Sequence, residues 1–148
     1  MLGFSPNDLD VTAKLFIAAL LGGLIGLERE SHGKDAGVRT YALVSLGSAL
    51  AMIVSINVYE VYKNAGVDPS RIAAQVISGV GFLGAGAIMR FDKEIKGLTT
   101  AAGVWTAAGI GLSCGLGQYH PAIITTILTL IVLVVWSKVN RFFGGKDY

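Results

Sequence analysis

Five apolar runs, each close to the length of a membrane-crossing helix, occupy most of this 148-residue chain. They cover residues 9–27, 40–60, 71–89, 98–117 and 121–137. A helix needs about 20 apolar residues to cross the hydrocarbon core of a bilayer. A soluble chain of this length has too little interior to hide five such runs. Only 15% of the residues are charged, against about 25% in an ordinary soluble domain. The mean hydropathy is +0.62. The chain reads as one all-α integral membrane domain, residues 1–148, with five transmembrane helices.

The connectors set an orientation. Arg29, Lys34 and Arg39, then Arg90, Lys93 and Lys96, then Lys138, Arg141 and Lys146 fall on one side. Lys14, Lys63 and Arg71 fall on the other. Lys and Arg accumulate on the cytoplasmic side, so the N-terminus is expected outside and the C-terminus in the cytoplasm. The first ten residues carry Asp8 and Asp10 and no Lys or Arg, the wrong charge for a cleaved leader. Lys14 is expected to snorkel to the interface. Ser5 to Asp8 read as the start of the first helix, and Asp68 with Pro69 as N-cap and first residue of the third.

The densest signal is the stretch 79–105. Gly79, Gly81, Gly84 and Gly86 fall in an apolar run, and a charged connector follows at 90–96. Gly79 to Gly84 matches a dinucleotide-binding glycine pattern, but inside a membrane helix it lacks the strand, turn and acidic residue that the function needs. Gly111 to Gly115 matches a nucleophile elbow without its strand-to-helix turn or a histidine in reach. Cys114 is the only cysteine, so no cysteine metal cluster forms within the chain. A net charge of +2 with no basic stripe argues against nucleic acid.

Residues 37–44 align without gaps with residues 97–104, an offset of 97 − 37 = 60. Two parallel hairpins plus a fifth helix are the expectation. Arg39-Thr40 then corresponds to Thr99-Thr100. Small residues let helices approach in lipid. The packing candidates are Gly22, Gly26, Gly79, Gly81, Gly84, Gly86, Gly111 and Gly115. On the fourth helix Thr99, Ala102, Thr106, Gly109 and Ser113 share a weakly polar face, and Gln75 shares one with Gly79 on the third. The alternative is that the glycines of the third helix open carbonyls to an ion path.

The charges at helix ends are either topological anchors or a polar vestibule. Glu28, Arg29, Arg39 and Thr40 mark one face, and Asp68 and Arg71 the other. Glu28 and Arg39 are placed to pair across the first hairpin. Glu28 and Asp68 are the weak candidates for a metal, since carboxylates suit Mg²⁺; no firm metal or cofactor site emerges. Trp105 and Thr100 complete the functional candidates. His32, with Glu30 and Asp35 nearby, is the sole opening for chemistry on a lipid, and no catalytic set supports an enzyme.

Four motifs in order carry a resemblance: GGLIGLERE at 22–30, GVRTYALVSLGSAL at 37–50, DPSRIAAQVISGVGFLGAGAIM at 68–89 and GLTTAAGVWTAAGIGLSCG at 97–115. Over about residues 9–137 the chain resembles the membrane domain of the MgtC/SapB family. The resemblance implies a multi-pass protein of the bacterial inner membrane, linked to growth in low magnesium, acid tolerance and, in pathogens, survival inside host cells. It implies either magnesium transport or regulation of other membrane proteins, the rotary ATP synthase among them. Longer members continue into an ACT-like soluble domain; ending at Tyr148, this chain looks like the short, SapB-type form. A membrane regulator, dimeric and working by helix contacts, is the leading expectation. A cation transporter or channel is the alternative.

Overall fold

The computed structural model describes residues 6–62, 66, 68–91 and 94–142, with side chains omitted at 6–7, 91 and 136–142. Ser5, Lys63, Lys93 and Lys146, used above for capping and orientation, lie outside the described residues. Among the described residues five helices form: α1 (Pro6–Ser31), α2 (Val38–Tyr62), α3 (Ser70–Ala87), α4 (Leu98–Gly115) and α5 (Tyr119–Phe142). Two of them, over Asp8–Ser31 and Val38–Tyr62, are long and apolar enough to cross a membrane.

Several boundaries differ from the sequence reading. α1 runs through Glu28-Arg29-Glu30, a set of good helix formers, rather than stopping at the last apolar residue. It ends where Gly33 takes φ +65°. There Lys34 N–H donates to the Arg29 carbonyl and Gly33 N–H to the Glu30 carbonyl, the paired bonds of a Schellman turn. Gly117 and Gln118 close α4 with the same pattern. α5 starts at Tyr119, so His120 is helical rather than part of a turn.

α3 stops at Ala87, short of the expected residue 89, because the chain turns into a hairpin. Strand β1 (Met89–Phe91) pairs antiparallel with β2 (Glu94–Lys96), Arg90 opposite Ile95. Gly97, at φ +89°, returns the chain to α4, and a Cβ there would collide with the Ala87 carbonyl. That position accepts only glycine without strain. α2 and α4 begin at Val38 and Leu98, again 98 − 38 = 60 apart, but only the second hairpin contains strands.

α4 packs against all four other helices, and α2 packs chiefly against α1 and α4. The inner face of α2 reads Tyr41, Ser45, Ser48, Met52 and Ser55, all buried, at alternating spacings of four and three that hold one helical face. Glycines from two neighbours close on it. A Cβ at Gly22 would sit 2.6 Å from the Tyr41 carbonyl, and one at Gly26 2.7 Å from the Gly37 carbonyl. From α4, Gly111 meets the Ser45 carbonyl, and Gly115 would lie 2.5 Å from that of Ala49. These are backbone-to-backbone approaches that no side chain permits.

α4 buries Thr100, Gly103, Ala107, Gly111 and Cys114. This is the face beside the expected Thr99–Ser113 stripe, which lies at the margin of the packing: Thr99 and Ala102 are exposed. The reason is local. The Thr106 hydroxyl bonds to its own helix at the Ala102 carbonyl, 2.9 Å away, so it needs no neighbouring helix.

Candidate functional site

Six charged residues, Glu28, Arg29, Glu30, Lys34, Asp35 and Arg39, lie where α1 turns into α2. Arg29 is buried, 5% exposed. It lies three and seven residues after Gly26 and Gly22, on the face of α1 that meets α2. Its Nη1 is 3.4 Å from Glu28 Oε2, and Glu28 Oε1 is 3.1 Å from His32 Nδ1. His32 Nδ1 also lies 2.9 Å from the Glu28 carbonyl. Glu28 thus draws both partners from α1 and the turn that ends it. The expected Glu28–Arg39 pair does not form: Arg39 is exposed, with no ion pair among the described residues.

Glu30 has a structural task. Its Oε2 accepts the Val38 N–H at 3.0 Å, capping the amino terminus of α2 from the preceding helix. This engages Glu30 with the α2 backbone rather than with His32, whose acidic neighbour is Glu28. Tyr41 joins the cluster. Its hydroxyl donates to the Thr100 carbonyl at 3.4 Å, and the charges of Arg29 and Glu28 both reach it. Gly103 lies directly against the Tyr41 ring and hydroxyl. Tyr41 and Ser45 went unnoticed as site residues. The signal that marks them is the four-and-three spacing of Tyr41, Ser45, Ser48 and Ser55 on α2. Ser45 Oγ and Arg29 Nε are buried without a hydrogen-bond partner.

The remaining candidates are dispersed. Thr40, Gln75 and Thr99 are exposed, and Trp105 is half exposed. Lys14 pairs with Asp10 at 2.6 Å and its stem lies against the α4–α5 turn. Asp68 and Arg71 lie at the far end, at the start of α3. Pro69, not Asp68, is the N-cap; Asp68 Oδ1 accepts the Ser70 N–H and hydroxyl, each at 2.8 Å.

Those bonds, the backbone N–H first, hold the Asp68 carboxyl below its usual value of 3.8. The folded-state value is depressed, so the stabilisation is present above the ordinary carboxylate range. It is lost as pH falls through the folded-state value. Unfolding followed between pH 5 and 2, roughly the titration range of such a group, should show a component that Asp68→Asn removes. An unchanged acid limb in the variant would contradict it.

Among the described residues no three His, Cys, Asp or Glu converge as metal ligands. Glu28 and Asp68 lie at opposite ends of the bundle and cannot share an ion. α3 differs from the other helices: only Val80 and Gly84 are buried on it. A Cβ at Gly84 would rest against Ala101 at an ordinary 3.5 Å, while Gly79, Gly81 and Gly86 meet nothing within 4 Å. Between α2 and α3 lies an open apolar groove of about 410 Å³, lined by Leu43, Gly47, Val76, Gly79, Val80 and Leu83 among others.

Known proteins share this sequence widely. YhiD of Escherichia coli (strain K12) is 46% identical over 138 residues, 91% of this chain and 64% of YhiD. SapB of Bacillus subtilis (strain 168) is 45% identical over 141 residues, 93% of this chain and 61% of SapB. MgtC of Salmonella typhimurium (strain LT2) is 48% identical over 116 residues, 78% of this chain and 48% of MgtC. The chain thus spans between about half and two thirds of these relatives, and SapB too is longer than the matched part. No solved structure matches. The match to the model described as the MgtC family runs over residues 15–142, which takes in the α1–α2 charge cluster, the glycine-closed seams and the open face of α3: the chain belongs to the MgtC family.

Proposed function

We propose that the chain is a five-pass protein of the bacterial inner membrane that regulates other membrane proteins during adaptation to scarce magnesium or acid. It does so without catalysis, through helix contacts made by α3 with a second copy and with partner proteins. The ATP synthase is the first partner to test. Virulence in a pathogen would follow from the same role. The Lys and Arg distribution supports an outside N-terminus and a cytoplasmic C-terminus. α3 and α4, at 18 residues each, extend about 27 Å, close to the bilayer core.

One observation carries this reading: the glycines form two sets. Those of α1 and α4 at the seams are closed against backbone, while Gly79, Gly81 and Gly86 of α3 face open space. In lipid, a small-residue face serves to bring another helix close. Gly79→Leu and Gly86→Leu should each reduce co-purification of differently tagged copies about tenfold, a loss of 1.4 kcal/mol. Gly109→Leu, at an equally open position on α4, should not. Undiminished capture in both α3 variants would sink the reading. Gly84→Leu is a poorer probe, because Gly84 packs inside the chain on Ala101.

The second reading is passage of Mg²⁺, favoured by the provisional naming of YhiD as a magnesium transporter. The buried polar groups weigh against it. Among the described residues they are Arg29 and the hydroxyls of Tyr41, Ser45, Ser48, Ser55, Thr100 and Thr126. Mg²⁺ is bound through carboxylates and retained water, and a buried guanidinium repels it.

A further inference from the structure

Arg29 is more than an internal partner of Glu28. A guanidinium carries five N–H donors in a rigid fork. Here Nη1 lies 3.4 Å from Glu28 Oε2, well beyond the roughly 2.7–2.9 Å of a charge-assisted bond. Arg29 Nε is buried and has no hydrogen-bond partner. A buried, unsatisfied donor on a cation is costly unless something accepts from it. Glu28 has a second partner, since His32 Nδ1 lies 3.1 Å from its other oxygen.

Tyr41 lies within reach of the charges of both Arg29 and Glu28, and its hydroxyl is bonded to Thr100 in the first turn of α4. That helix opens at Gly97, with no side-chain cap on its first N–H groups. Uncapped amides at a helix start carry partial positive charge. The unpartnered Nε edge of the Arg29 fork is the edge that a two-oxygen acceptor fits.

We propose that the junction of α1, α2 and α4 is a binding site for a phosphate-type oxyanion, anchored by the Arg29 fork. Glu28 is the internal occupant that the ligand displaces, and His32 retains it when it leaves. The site is independent of the α3 contacts proposed above. Inorganic phosphate and the headgroup of an anionic lipid present the same chemistry, and both can reach the end of a helix hairpin.

The full chain, stripped of lipid in a neutral detergent, is titrated with sodium phosphate against sodium chloride at matched ionic strength, with thermal unfolding as the readout. In parallel it is placed in nanodiscs of phosphatidylcholine, with and without phosphatidylglycerol. A stabilisation specific to phosphate in the first arm assigns a soluble ion. One seen only with phosphatidylglycerol assigns the lipid headgroup. In whichever arm responds, Arg29→Gln should weaken binding about tenfold or more, the effect of losing a charged hydrogen bond. Glu28→Gln should strengthen it several-fold, because the competing carboxylate is gone. If Arg29→Gln fails to fold, Arg29→Lys is read instead; it keeps the charge, loses the fork and should also bind less tightly. Absence of specific stabilisation in both arms would overturn the proposal. So would an equal response in the wild type and the Arg29 variants, leaving an internal ion pair only.

Discussion

Replacing Gly111 by leucine should be among the most damaging single changes in the chain, costing about 3 kcal/mol, the upper end of the usual range for overpacking. The first atom added already collides. A Cβ at Gly111 would meet the Ser45 carbonyl oxygen and lie 2.8 Å from both the Ser45 carbonyl carbon and the Ser48 Cβ. Two of these three atoms are helix backbone and cannot swing aside, so α4 must move off α2. That seam is one of the two main packings of α2. Loss of a few kcal/mol consumes much of the stability of a typical domain. Reversible unfolding in detergent, compared with Gly109→Leu, isolates the effect. Gly109 is two residues away on the same helix, and nothing lies within 4 Å of a Cβ there. Equal stability of the two variants would show that the α2–α4 seam is not closed as described.

Arg29→Ala should come next, with a cost of about 3 kcal/mol, the lower end of the range for removing one member of a buried pair. The Glu28 side chain is 9% exposed and would keep its charge with only His32 beside it. His32 Nδ1 is shared with the Glu28 carbonyl, 2.9 Å away, so the remaining support is weak. The relief is specific. Adding Glu28→Gln to Arg29→Ala should recover part of the loss, because the orphaned charge disappears. Additive penalties in this double-mutant cycle would mean that the two side chains are not coupled.

Most of the helical layout was legible in the sequence because apolar run length and glycine or proline punctuation are local signals. The close spacing of Gly22 and Gly26 marked a seam for the same reason. Three features were not legible. Glu28 to Ser31 look like a connector, since nothing local says that a charged turn continues as helix and buries its arginine. The hairpin at 89–96 hides in a short charged stretch whose strands have only three residues each. The packed face of α4 was misjudged by one position, because threonine hydroxyls satisfied within their own helix look identical in sequence to hydroxyls that reach across a seam. Gly79 and Gly111 are likewise indistinguishable as letters; the fold leaves one open and closes the other against Ser45. Glu28 and Asp68, by contrast, lie at opposite ends of the bundle, as the run lengths and connector charges already imply.

The bundle closes its seams backbone to backbone, and among the described residues its one buried charged residue is Arg29, with the Glu28 carboxylate beside it. Such an interior should not conduct a dication. Magnesium uptake by the purified chain in liposomes loaded with a magnesium-sensitive dye tests this directly. With a potential applied in either sense, uptake should stay at the level of empty liposomes. Uptake above that level, lost in a variant that still folds, such as Glu28→Gln, would contradict it and make the chain a magnesium pathway.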